Sequence, residues 1–255
     1  MKGGSTIFLR SKVALLLLCL SAGLLFTISS CKKDDDSTTT AVSEDDVAEA
    51  VSQSVSTESG GLVSQTTASA VIISTNASSR IGAKLSDECG IMHDTTFAGA
   101  SVDGAAITYS YNFSWNWLLS CNNVMPQTFV FNYAGKAAYD APRMSSSDSS
   151  KANVTVTGLG ADSAYYVFNQ SYTRNGSQTS KVNLKRSFTS LISIVSSDIR
   201  ISKSTLKIIS GTGTVTITGT GSGGKSFSYT GTITFLGNEK ATLVVTGGGT
   251  YTIEW

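Results

Sequence analysis

From Ala70 to Trp255 the chain runs in short alternating segments rich in Val, Ile, Thr, Tyr and Phe, broken by Gly, Asn, Asp and Ser. A period of two with such breaks is the pattern of antiparallel strands buried on one face. The clearest segment, 109–117, sets Tyr109, Tyr111, Phe113, Trp115 and Trp117 on one side and polar residues on the other. Its first reading is the thick part of a core. Two others stand beside it: a platform on which sugar rings stack, or, if the sheet curls into a cup, the wall of a cavity able to hold an acyl chain. Further on, 214–218 and 227–235 alternate apolar groups with hydroxyls across Gly221-Ser222-Gly223-Gly224, which predicts a hairpin. The segments 243–245 and 251–255, with Gly247-Gly248-Gly249 between them, continue the meander.

Ahead of the strands, the spacing predicts a helix over 43–58. Ser43 suits the N-cap with Asp46 three positions on, Glu44, Asp45 and Asp46 suit the positive end of the helix dipole, and Val47, Val51 and Val55 recur every fourth residue. Gly60-Gly61 ends it. Asp140 to Ser150, with Pro142 and a serine run, reads as a long loop. The expected architecture over 43–255 is therefore one mostly-β domain. It is an antiparallel meander forming either a sandwich or a curved sheet and partial barrel, with one N-terminal helix packed on it.

The start of the chain is of another kind. Lys2, Arg10 and Lys12 precede an uncharged apolar run over 13–28, the layout of a secretory signal. The run is shorter than the roughly 20 apolar residues a membrane-spanning helix needs. It ends in Ile28-Ser29-Ser30-Cys31, which resembles the lipobox of bacterial lipoproteins, with Ile where Leu is usual. The next residues, Lys32-Lys33-Asp34-Asp35-Asp36, resemble the surface-export signal of Bacteroidota lipoproteins. Together these resemblances imply that 1–30 is removed and that the Cys31 sulfur and the new amino terminus carry acyl chains. Residues 31–42 would then be a lipidated polar tether, and the protein would be anchored in the outer membrane and displayed at the cell surface. The membrane is then its first partner, held by several acyl chains because a single one binds only marginally.

On that reading Cys19 leaves with the signal and Cys31 is consumed by lipid. Cys89 and Cys121 remain in an oxidising compartment, and they are expected to form a disulfide.

Charge adds a little. Beyond the signal the chain is near neutral, yet from Ser171 onward nine basic residues face three acidic ones, a balance suited to polyanions at a cell envelope. Those cations are scattered without exposed aromatics between them, so nucleic acid is a poor fit. The threonines at 212, 214, 216, 218 and 220 resemble the arrays of ice-binding proteins, but threonine is also a good strand former on a wet face.

No catalytic constellation emerges. His93, near Cys89 and Asp94, is the only histidine, a disulfided Cys89 offers no thiolate, and no residues stand at metal-ligand spacing. Asp103, Asp162, Glu239 and Glu254 are candidate carboxylates for glycosidase chemistry, with nothing to single out a pair. The expectation is a non-enzymatic binding or structural module without cofactor or metal. A lipid- or glycan-handling β cup is the alternative, and a carbohydrate-active enzyme the more distant one.

Overall fold

The computed structural model describes residues 42–78, 85–123, 125–182 and 185–255. Cys31, the charged run Lys32 to Asp36, the signal and nearly all of the tether lie outside the described residues.

The first helix, α1 (Glu44–Val55), begins as its sequence dictates. The Ser43 hydroxyl accepts the Asp46 N–H at 3.2 Å and donates to the Asp46 carboxylate at 2.6 Å. Val47, Val51 and Val55 are fully buried, and each contributes roughly 1.5–3 kcal/mol by leaving water. Glu44 ties the start of α1 to the far end of the chain by accepting the Gly249 N–H at 2.6 Å and the Tyr251 hydroxyl at 3.0 Å.

A second helix, α2 (Leu62–Ser78), follows after a tight turn. A side chain at Gly61 would lie 2.5 Å from the carbonyl oxygens of Ser54 and Ser56, so only glycine lets the helices turn so closely. This helix corrects the expectation that strands begin at Ala70. Two of its buried hydroxyls are satisfied along the helix: Thr66 donates to the Leu62 carbonyl at 2.6 Å and Ser69 to the Gln65 carbonyl at 2.9 Å.

After a short 3-10 turn (Leu85–Glu88), ten strands follow among the described residues. They are β1 (Met92–Ala100), β2 (Thr108–Asn122), β3 (Met125–Asp140), β4 (Met144–Thr157), β5 (Tyr165–Ser180), β6 (Ser187–Ser202), β7 (Ile208–Gly221), β8 (Ser226–Gly237), β9 (Lys240–Val245) and β10 (Thr250–Glu254). All belong to one antiparallel sheet in sequential order, with β1 and β10 as its edges. The fold is thus mostly β, a meander that does not close into a barrel, and the sandwich alternative falls away. The hairpins predicted between 214 and 235 and between 243 and 255 are present as β7–β8 and β9–β10.

The predicted long loop at 140–150 is absent: β3 and β4 meet in a turn of three residues, and Met144 onward is strand. The serine run misled because the inner face of β4 is polar at this end. Ser146, Asp148 and Ser150 are buried there, opposite Arg174 and Gln178 of β5. Elsewhere the inner face is mostly apolar, with Gln170 and Ser196 as buried polar exceptions. It packs Phe113, Phe131, Phe168, Ile194 and Ile233 against the two helices. Register shifts at Ser120/Cys121, Phe168/Gln170 and Ser197/Arg200 add local twist that helps the sheet bend around them.

Candidate ligand cleft

The bend leaves a cleft of about 690 Å³ along α2, where the first two strands face the connection between β6 and β7 and the final residue. Three side chains of the predicted aromatic stripe and its neighbour strand form one wall: Phe97 of β1, with Tyr111 and Trp115 of β2. Register places them together, since Thr95 pairs with Trp115, Phe97 with Phe113 and Gly99 with Tyr111. Phe97 stacks on Tyr111 with centroids 5.4 Å apart and packs on Trp115 at 5.6 Å. A side chain at Gly99 would lie 2.4 Å from the Tyr111 hydroxyl, so the bare backbone there is what lets the ring lie over β1.

Leu206, Ile208 and Trp255 make the opposite wall, and Trp255 is steadied edge-on against Phe235 at 6.0 Å. The floor is the upper face of α2, with Val63, Ala68, Val71 and Ile72 lining the space. Val71 remains 44% exposed, an apolar side chain that the fold itself leaves open. Hydroxyls of Ser64, Thr67 and Thr95 dot the lining. Among the described residues its only charged side chains are Lys207 and Glu239, paired at 2.8 Å and both exposed.

The aromatic stripe is thus divided in role. Phe113 and Trp115 are buried, Tyr109, Tyr111 and Trp117 are half-buried, and Tyr111 and Trp115 serve core and cleft at once. Burial raises the Tyr111 hydroxyl above its ordinary pKa, with the neighbouring Tyr109 adding to the shift, so it stands in the cleft as a neutral donor.

No family model, curated protein or solved structure matches this chain.

The remaining sequence candidates do not converge. Cys89 and Cys121 are joined in the expected disulfide, Cα atoms 5.7 Å apart. His93 belongs to β1, with Nε2 2.8 Å from a Glu88 carboxylate oxygen and its ring stacked on Trp117. Asp103 lies in the connection between β1 and β2, and the meander places Asp162, Glu239 and Glu254 at the other end of the sheet. There Glu239 pairs with Lys207 and Glu254 with Lys240. Among the described residues no three His, Cys, Asp or Glu side chains gather in a way that suits a metal ion.

The threonine rows lie on the outer face and do pair across strands: Thr212 with Thr234, Thr214 with Thr232 and Thr216 with Thr230. Ordering ice requires a flat lattice of hydroxyls, whereas neighbouring strands of a sheet are typically rotated by roughly 20–25°, which works against one. Asn116, Asn132 and Asn153 form a second outer ladder, linked amide to amide at 3.1 and 2.7 Å. Among the described residues that line its depression the one ring is Tyr133, which is buried and offers no face to stack a sugar. Sequence reasoning missed the contribution of α2 and of 205–208. Neither carries a motif, and they meet only through the bend.

Proposed function

We propose that this protein is a lipid-anchored component of the outer membrane, displayed outward, whose β body binds a small apolar ligand with an acyl chain in the cleft along α2. The anchor rests on Cys31 and the signals around it. The binding role rests on one observation, a cleft walled by Phe97, Tyr111, Trp115 and Trp255 with an aliphatic floor. Its volume falls in the range of small-molecule sites, roughly 300–1,000 Å³, and its apolar lining is what such sites use to extract a ligand from water. A filled, dry core would instead favour a purely structural module, and two facing carboxylates a hydrolase; the cleft favours ligand binding over both.

The test uses the mature chain carrying Cys31→Ala, which has no acyl chain of its own to compete. A fluorescent fatty-acid analogue is expected to bind saturably with a stoichiometry near one and to be displaced by unlabelled palmitate. Absence of saturable binding rules the reading out.

A further inference from the structure

Building on the apolar-ligand reading, we infer that the ligand is a long-chain carboxylate whose head is held by Lys207 in place of Glu239. The cleft is chemically lopsided. Its walls and floor offer rings and aliphatic groups, while among the described residues charged side chains occur at one place only, the Lys207–Glu239 pair. A ligand that filled the cleft and was apolar throughout would leave that pair idle; one with an anionic head uses it.

The pair is built to exchange. Its members are 64% and 52% exposed, so the contact is solvated and contributes little, and Glu239 can turn to water without being stranded. A carboxylate arriving with its chain already seated presents the same chemistry to the Lys207 ammonium as Glu239 does, at a higher local concentration than any free anion. The backbone fixes the lysine at this spot. Leu206 just before it and both Asn238 and Glu239 across from it have positive φ (55°, 52° and 60°), an arrangement that aims Leu206 into the cleft and sets the two charges over it. A neutral glycan would bring no apolar chain to the aliphatic floor and no charge to Lys207.

Palmitate and hexadecanol share a chain and differ in head charge. Both are titrated against the Cys31→Ala chain by the fluorescence of Trp115 and Trp255, which line the cleft. Palmitate is expected to bind about tenfold more tightly than hexadecanol, as a charge-assisted contact allows. Lys207→Met should bring the ratio of the two affinities close to one, Lys207→Arg should keep it, and Glu239→Gln should widen it by removing the competing carboxylate. Equal affinities in the parent, or a ratio indifferent to Lys207→Met, overturns the head-group assignment and leaves the apolar-ligand reading standing. Failure of both probes to bind overturns the two together.

Discussion

Arg174 of β5 and Asp148 of β4 form an ion pair in the interior, Nη2 to Oδ2 2.7 Å, with side chains 2% and 0% exposed. The Arg174 guanidinium also donates to the Gln53 carbonyl near the C-terminal end of α1 at 3.1 Å and lies over the Tyr139 ring at 5.3 Å. Ser146 donates to the same Asp148 oxygen at 2.8 Å, while Oδ1 has no hydrogen-bond partner among the described residues. The cluster pins the helical layer to the sheet through a permanently charged group. Such a pair is costly to break and of little net benefit compared with apolar packing. Asp148→Asn, which leaves the arginine buried and unpaired, is expected to destabilise the fold by about 3–5 kcal/mol. The double variant Asp148→Leu/Arg174→Met should recover most of that loss. Urea unfolding of the three proteins decides it; a double variant as unstable as the single one rejects the account.

Three buried tyrosines surround the pair. Burial is the main cause that raises the pKa of Tyr133, Tyr139 and Tyr172 above the ordinary 10.0. Because the folded values exceed the unfolded ones, their contribution to stability is whole below about pH 10 and is lost as pH rises through the folded values. Alkaline titration should therefore show their tyrosinate absorbance appearing together with loss of the sheet's circular dichroism. Tyr133 has a buried hydroxyl with no hydrogen-bond partner among the described residues. Tyr133→Phe is accordingly expected to be neutral or stabilising by up to about 1 kcal/mol and to extend the alkaline limit. A loss of stability in this variant counts against the assignment.

The Cys89–Cys121 disulfide joins the segment before β1 to the end of β2, where the Gly90 N–H also bonds the Leu119 carbonyl at 2.8 Å. The cysteines are 32 residues apart, and the loop they close corresponds to about 2–4 kcal/mol. Reduction, or Cys89→Ala with Cys121→Ala, should lower the thermal midpoint measurably. It should also weaken probe binding, because β1 carries Phe97. An unchanged midpoint on verified reduction speaks against a stabilising role.

Ala68 lies half-buried on the floor of the cleft. Ala68→Phe places a ring where the chain of the ligand is proposed to lie. Fatty-acid binding should fall at least about tenfold, with unfolding free energy changed by less than about 1.5 kcal/mol, since the added volume meets open space. Retained affinity moves the ligand elsewhere.

For the anchor, Cys31→Ala is expected to abolish incorporation of labelled palmitate and to release a soluble product. Neutralising Asp34, Asp35 and Asp36 should reduce protease access on intact cells while leaving acylation intact. Acyl labelling of the Cys31→Ala chain, or unchanged access after neutralisation, contradicts the respective step.

What was legible in the sequence had contrast. Ser43 and Asp46 mark a helix start, Val47, Val51 and Val55 mark its buried side, and the alternation in 109–117 and 214–235 marks strands by period two. Contrast fails in α2. Its buried side holds Gln65, Thr66 and Ser69, its open side holds Ala68, Val71 and Ile72, and the two faces read alike. It fails again in β4, whose inward Ser146, Asp148 and Ser150 look solvated until Arg174 is placed beside them. The aromatic wall of the cleft could be seen along one strand. The residues opposite it could not, because 205–208 and Trp255 reach it through tertiary curvature that no local period encodes.

Since every strand pairs only with its neighbours in the chain, the sheet is able to grow in one direction as synthesis proceeds, each new hairpin finding its partner already made. The far-reaching ties belong to the helices: Thr66 meets Gln170, 104 positions on, and Gln53 meets Arg174, 121 positions on. The helical pair precedes every strand in the chain, so its partners in the sheet are all made after it. The cleft is closed on one side by a residue from β10's end and on the other by β1 and β2, so its walls come from opposite edges of one sheet.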